Sequence, residues 1–237
     1  MTSNLVLPEP AREVGVLVVD DHPIFRQGIW HMLEYEEGIC PLGEADSIER
    51  ALDWLASHRA DVVLLDHNLP GTNGVDGLPQ LLAAQRDLQV IVLTVCDRDD
   101  VMLDAVRAGA CGYVLKDAPP ERLVEAIQAA AAGECRVSDR MVRSLFRQVG
   151  RPGKAGPFHG PGEDGVEVGP VPDLSSATPR EREILGCLVR GLSNKEIAKD
   201  LGLSPHTIRN QIQRMLERFD AHNRVQLALL AKDGGLA

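Results

Sequence analysis

Between residues 14 and 132 short apolar runs alternate with stretches of helical period. The runs at 14–19, 39–43, 62–65, 90–93 and 112–115 are four to six residues long. Most are apolar throughout rather than alternating, the pattern of strands buried on both faces. The stretches at 24–34, 48–57, 77–85, 99–107 and 121–132 repeat their apolar positions every three to four residues and read as helices. Five rounds of strand and helix predict an α/β domain, a doubly wound five-stranded parallel sheet covered by helices.

The pattern then changes. Residues 147–177 hold most of the Gly-Pro clusters, among them Gly150-Arg151-Pro152-Gly153 and Gly160-Pro161-Gly162, and have no periodicity. From 178 to 232 every apolar stripe is helical, with breaks at Gly191, at 202–205 and at 220–223, which allows four short helices. The expected organisation is an α/β domain over 13–134, a connecting helix and flexible Gly/Pro linker over 135–176, and a smaller all-α domain over 177–237.

Composition narrows the chemistry. Hydrophobic residues make up 44% of the 237, enough for two cores, but aromatics only 3%, so base stacking on aromatic platforms is a poor route to nucleic acid. No stretch approaches the roughly 18 apolar residues of a membrane span, and the expectation is a cytoplasmic protein without membrane contact. The five cysteines are scattered without zinc-site spacing, and the seven histidines form no ligand pair on one helix face. Charge divides along the chain. Residues 1–147 carry 13 Lys+Arg against 24 Asp+Glu, net −11, whereas residues 178–237 carry 10 against 7, net +3. Only the C-terminal part suits a phosphate backbone.

Polar residues fall at the ends of the predicted strands. Asp20 and Asp21 follow the first, Asp66 the third, Thr94 the fourth and Lys116 the fifth. In a parallel sheet these positions share the carboxyl edge, where doubly wound folds place their ligands. Three clustered carboxylates repel one another unless a cation joins them, and Mg2+ suits oxygen donors combined with phosphate. With the cation bound, Asp66 has the chemistry of a nucleophile on phosphorus, with Lys116 and Thr94 contacting the phosphoryl oxygens. His67 follows Asp66, and strand alternation points it away from the pocket.

These residues, with the run Leu64-Leu65-Asp66-His67-Asn68-Leu69-Pro70-Gly71-Thr72-Asn73-Gly74 and Gly112-Tyr113-Val114-Leu115-Lys116, resemble the receiver domain of two-component response regulators over roughly residues 14–133. The resemblance implies a flavodoxin-like receiver in which Asp66 accepts a phosphoryl group from a sensor histidine kinase. It also implies that Asp21 and the Asn68 backbone carbonyl bind Mg2+ directly, that Asp66 belongs to the same metal site and that Asp20 acts largely through water. Thr94 and Tyr113 would form the switch, although plain packing is the other reading of a strand tyrosine. Receivers often have Pro where this chain has Asp117, which leaves the isomer of that peptide open.

In the C-terminal part, Thr178-Pro179-Arg180-Glu181 opens a helix with a capping hydroxyl, Pro in the first turn and early acid. Ser193-Asn194-Lys195-Glu196 is a second capping box, and Ser204 with Pro205 starts a third helix. Ile208, Ile212, Met215 and Leu216 form that helix's apolar stripe, leaving Arg209, Asn210, Gln213 and Arg214 exposed. Two short helices joined by a tight turn, the second presenting Arg, Asn and Gln, make a helix-turn-helix able to read the major groove.

The segments Thr178-Pro179-Arg180-Glu181-Arg182-Glu183, Gly191-Leu192-Ser193-Asn194-Lys195-Glu196-Ile197-Ala198 and Leu203-Ser204-Pro205-His206-Thr207-Ile208-Arg209-Asn210 resemble the LuxR-type helix-turn-helix of the NarL/FixJ regulators. The resemblance implies base contacts from Arg209, Asn210 and Gln213. It implies phosphate contacts from Asn194, Lys195, His206, Thr207 and Gln211, and a dimer contact through Val225 in the last helix. Gln211 stands where His is usual, and Asp220 where Gly commonly closes the helix.

The expected function is a DNA-binding transcriptional response regulator, not an enzyme, activated by phosphorylation of Asp66 and homodimeric when phosphorylated. Its partners would be a sensor histidine kinase, a double-stranded operator and, through the family role, RNA polymerase. A DNA-binding regulator whose receiver answers to a partner or ligand without phosphorylation is the alternative. A haloacid-dehalogenase-like hydrolase would need a second acid where this chain has Asn68.

Overall fold

The computed structural model describes residues 13–95, 98–134 and 174–235. Five parallel strands, β1 (Val14–Val19), β2 (Ile39–Ala45), β3 (Val62–Asp66), β6 (Gln89–Thr94) and β7 (Gly112–Leu115), form one sheet in the order β2-β1-β3-β6-β7. Between them run α1 (Pro23–Glu34), α2 (Ile48–Leu55), α3 (Gly74–Ala84) and α4 (Asp99–Arg107), and α5 (Pro120–Ala131) follows the last strand. The expected doubly wound sheet is the one found.

Period-two alternation divides the core between the two faces of the sheet. Val16, Val18, Val62, Leu64, Ile91 and Leu93 pack with Ile29 and Leu33 of α1 and with Leu123 and Ile127 of α5. Leu17, Val19, Val63, Leu65, Val90 and Val92 face the other way, against α2 and α3. Because both faces are covered, the inner strands need apolar residues at every position. The edge strand β2 does not, and it accommodates Pro41 beside a register shift opposite Val16 and Leu17.

The chain reverses after β3 through a two-stranded antiparallel ladder, β4 (Asn68–Leu69) with β5 (Thr72–Asn73). This ladder folds back on the strand that precedes it. The Gly74 amide donates to the His67 carbonyl at 2.9 Å, and a Cβ at residue 74 would stand 2.0 Å from the Asp66 carbonyl oxygen. Only glycine permits that approach. Helix α3 begins at 74 rather than at the expected 77, because the Asn73 side chain accepts from the Val75 amide and caps it there.

Four helices make up the C-terminal unit: α6 (Pro179–Val189), α7 (Asn194–Leu201), α8 (Pro205–Arg218) and α9 (Arg224–Asp233), preceded by a 3-10 turn at Leu174–Ser176. Thr178 and Ser193 form complete capping boxes with Glu181 and Glu196, and Ser204 accepts from the Thr207 amide. Ile184, Leu185, Leu188, Ile197, Ile208, Ile212, Met215 and Leu227 close the core. Arg218 donates to both Glu181 carboxylate oxygens, at 2.8 and 2.7 Å, and ties the end of α8 to the start of α6. Asp220, where relatives of this pattern carry glycine, adopts a φ of 47° and is the one non-glycine residue at positive φ among those described. A short acidic side chain tolerates that conformation better than most. The connecting helix and linker expected over 135–176 lie outside the described residues as far as 173.

The two units touch. Met102, Leu103 and Val106 of α4 pack on Leu229 of α9, with Tyr113 and Val225 at the margin.

The close approach at residue 74 yields a stability prediction. Gly74→Ala must displace the Asp66 carbonyl, so it should lower receiver stability by about 1–3 kcal/mol, the usual range for overpacking. Urea unfolding followed by far-UV circular dichroism checks this: a fall in midpoint at constant slope is expected, and an unchanged midpoint would mean that the loop yields freely.

Candidate functional site

The strand order reverses direction of travel between β1 and β3, and a crevice opens there at the carboxyl ends of the strands. Asp20 lies just past β1 and Asp66 ends β3, so the two flank the crevice, and both are buried, at 0% and 1% exposure. Thr94 ends β6 and is buried as well. Lys116 follows β7, where its amide donates to the Thr94 carbonyl at 2.7 Å. The four strand ends expected to converge do converge.

The Lys116 ammonium bridges the two acids. Its Nζ is 2.6 Å from Asp20 Oδ2 and 2.8 Å from Asp66 Oδ2, and it lies 4.5 Å from the centroid of the Phe25 ring. Burial pulls the lysine pKa down, but the hydrogen bonds and charges of Asp20 and Asp66 outweigh it, and the group stays above its ordinary value. Asp66 moves the other way from a normal carboxylate. Burial raises its pKa and the neighbouring Asp20 adds to the rise, which Lys116 and the Asn68 amide, donating to Asp66 Oδ1 at 3.2 Å, offset in part.

Asp21 is half-buried, and its Oδ1 is 2.7 Å from His22 Nδ1. Asp20, Asp21, His22 and Asp66 each bring a ligand atom within 4.8 Å of the others. His67 is not in that group, in keeping with the strand alternation that points it elsewhere. His22 is, and no spacing of histidines along one helix signals it, since its partners are the acids beside it. Arg26, whose guanidinium donates to the Asp20 carbonyl and pairs with Glu44 at 3.1 Å, has no such signal either. It holds the turn that presents both aspartates. Tyr113 is half-buried against the sheet core and the α4 patch.

On the C-terminal unit, α8 buries Ile208, Ile212 and Met215 and leaves Arg209, Asn210, Gln213 and Arg214 exposed, as the stripe predicts. His206 and Lys195 are exposed as well, with His206 Nε2 3.2 Å from Asn210 Nδ2. Thr207 and Gln211 are half-buried, and the Thr207 hydroxyl is 2.8 Å from that of Ser204. Asn194 turns inward: it is buried and accepts from Arg224 at 3.3 Å, so its side chain braces α9 against the start of α7. Arg209 donates to the Ala131 carbonyl at the end of α5, 2.8 Å away. Val225 lies at the α4 contact.

Comparison with known proteins agrees with both halves. Residues 16–128 match the response regulator receiver domain, and residues 175–231 match the bacterial regulatory proteins of the luxR family. The nitrate/nitrite response regulator NarL of Escherichia coli K12 is 32% identical over 93% of this chain and 94% of its own length. DevR/DosR, a DNA-binding transcriptional activator of Mycobacterium tuberculosis, is 34% identical over the same shares. Among solved structures, a LuxR-family response regulator from Aurantimonas covers 57% of this chain and 97% of its own at a TM-score of 0.53 and 29% identity. The response regulator RcsB, in a complex with DNA, covers 93% and 98% at 0.52 and 23%, a likeness of fold.

The bridging ammonium leads to a prediction with a defined pH dependence. Lys116→Met leaves Asp20 and Asp66 buried side by side, and removing one partner of a buried pair costs about 3–5 kcal/mol. The loss should be largest at pH 7. It should shrink as the pH falls toward 5, since an acid whose folded-state pKa is raised binds its proton more tightly in the folded state and gains stability on acidification. Thermal melts of both proteins at pH 7 and pH 5 measure the gap. A gap that stays constant or widens on acidification would contradict the bridge.

Proposed function

This chain belongs to the NarL/LuxR-type DNA-binding response regulators of two-component systems, and on that premise we propose how its residues carry the role. The observation that carries the reading is Lys116 bridging Asp20 and Asp66 at the switch point of the sheet, beside Asp21 and Thr94. The phosphorylation-independent alternative is not favoured, since it accounts for none of these positions.

Asp66 is the phosphoacceptor. One carboxylate oxygen forms a bond to phosphorus as the bond from phosphorus to the donor, a phosphohistidine of the sensor kinase, breaks. The product is an aspartyl phosphate. Lys116 has two parts in this: before transfer its charge offsets in part the burial that raises the Asp66 pKa, and after transfer it donates to a phosphoryl oxygen. Thr94, at the adjoining strand end, contributes its hydroxyl to the same oxygens, and Tyr113 follows its movement.

The donor set suits Mg2+. Three carboxylates within reach of one another, two of them buried, are a hard, oxygen-rich site with uncompensated charge. Asp20, Asp21, Asp66 and the Asn68 carbonyl would hold the ion, which when bound neutralises charge on the incoming phosphate. His22 keeps Asp21 oriented from the other side.

The output is DNA binding. Arg209, Asn210 and Gln213 read base edges from α8, and Lys195, His206, Thr207, Gln211 and the amide end of α7 at Asn194 hold the phosphate backbone. The phosphorylated protein is a homodimer in which α9, with Val225, joins two helix-turn-helix units on adjacent half-sites. The domains are taken as 13–134 and 177–237, and the protein acts in the cytoplasm on RNA polymerase. Among the described residues no helix is long and apolar enough to cross a membrane.

Incubation with acetyl phosphate and Mg2+, followed by intact-mass spectrometry and gel filtration, tests the reading. The native chain should gain one phosphoryl group, shift to a dimer and bind operator DNA more tightly, and Asp66→Asn should do none of these. A phosphoryl group that persists in Asp66→Asn would move the acceptor elsewhere. Arg209→Ala should weaken specific binding roughly tenfold, the worth of about 1.4 kcal/mol of base contact, with little change on non-specific DNA. An equal loss on both would make Arg209 a phosphate contact.

A further inference from the structure

The contact between the units contains more than the apolar patch of α4 and α9. Two side-chain amides of the C-terminal unit donate into the backbone of the receiver. Asn223 Nδ2 donates to the Ala110 carbonyl at 3.0 Å, and Gln226 Nε2 donates to the Arg107 carbonyl at 2.9 Å. Both side chains are buried, at 1% and 3% exposure. Arg107 is the last residue of α4, and the last carbonyls of a helix have no partner within it. The turn that follows satisfies the carbonyls of Asp104, Ala105 and Val106, and the neighbouring unit supplies the partner of the last one, Arg107.

Each amide is also committed within its own unit through its oxygen. Asn223 Oδ1 accepts from the Val225 and Gln226 amides, both at 2.9 Å, and so caps the start of α9. Gln226 Oε1 accepts from the His222 amide at 2.7 Å. With the oxygens fixed in this way, the NH2 groups have one direction in which to point, that of Gln226 to the last carbonyl of α4 and that of Asn223 to the turn after it. Gly109, at a φ of 111°, lies between the two acceptors, where a Cβ would come within 2.5 Å of Leu82 Cδ1 in the receiver and 3.3 Å of His222 Cβ. The absence of a side chain at 109 also leaves room for His222, which precedes the cap of α9.

We infer that Asn223 and Gln226 form an amide latch that holds the two units closed by binding the last carbonyl of α4 and that of Ala110 in the turn after it, so that movement of α4 and release of the helix-turn-helix unit are one event. The inference deepens the proposed function and rests on it for its consequence, since a buried donor left without an acceptor is costly and both bonds are lost together when α4 shifts. Tyr113 packs against the same α4 patch that Leu229 covers, so the switch strand and the latch share one contact surface. While the latch is closed, Val225 and Leu229 face α4 and are withheld from a second copy. Closure also keeps Arg209 on the Ala131 carbonyl and away from DNA. The apolar patch alone has no such directionality.

The chemistry allows the two duties of each side chain to be separated. Asn223→Asp keeps the oxygen that caps α9 and replaces the donor facing Ala110 with a second oxygen, and Gln226→Glu does the same opposite Arg107. In the full chain without phosphate, the double variant should exchange the amides of 102–110 and 225–231 about tenfold faster or more, the effect of losing one buried hydrogen bond of ordinary strength. Its sedimentation coefficient should fall while its helicity by circular dichroism is unchanged. Exchange within twofold of the native chain, with the sedimentation coefficient unaltered, would overturn the latch. Should the double variant lose helicity, Asn223→Ser decides: serine caps a helix as well as asparagine but cannot reach Ala110, so it should open the molecule too, and a closed Ser variant would overturn the latch. Phosphorylation by acetyl phosphate is scored on the same samples. A chain that is phosphorylated but does not open rejects the latch alone, and one that opens but takes no phosphate rejects the receiver chemistry alone.

Discussion

The receiver half depends on a single unfavourable juxtaposition: two carboxylates, Asp20 and Asp66, buried beside one another where the sheet changes direction. Left alone, one of them would take up a proton, because like charges in a poorly solvated site cannot both persist. The Lys116 ammonium on both acids offsets this in part. Three separate strands must therefore be in register for the ammonium to meet both acids, and the sheet and the site specify each other. The same arrangement makes the pocket responsive. A phosphoryl group on Asp66 enlarges and relocates the negative charge that Lys116 must satisfy, and the lysine follows β7, which also carries Tyr113.

The helical half is stabilised differently. Its helices are short, eight to fourteen residues, too short to persist alone in water. They are held by caps at their starts and by one compact apolar core. Because the capping side chains satisfy the first amides locally, α8 can commit its inner stripe to the core and leave a continuous polar face outside. This division of labour frees Arg209, Asn210 and Gln213 for DNA.

Between the halves, the chain reuses side chains already fixed by local duties. Asn223 caps α9 and Gln226 braces the turn before it, and the remaining donor of each enters the end of α4 or the turn after it. A contact built this way adds little new ordering, since the side chains are immobilised before the units meet. It is also brittle, because it depends on the position of two backbone carbonyls, and this suits a surface meant to open.

The sequence by itself determined the strands and helices within about three residues, the two-part organisation, the convergence of Asp20, Asp21, Asp66, Thr94 and Lys116, and the outward face of α8. These follow from periodicity, capping and the rule that strand ends of a parallel sheet share an edge, all local in sequence or fixed by topology. Tertiary structure alone decided that Asn194 faces inward to Arg224, that His22 joins the acids, and that α3 starts at Gly74 because the chain folds back on the Asp66 carbonyl. It alone brought Asn223 and Gln226 to α4, more than 110 positions away in the chain. No periodicity reports such a meeting: an N-capping asparagine has the same local pattern whether its free NH2 meets water or another unit's backbone. That choice is made only when two finished surfaces are packed together.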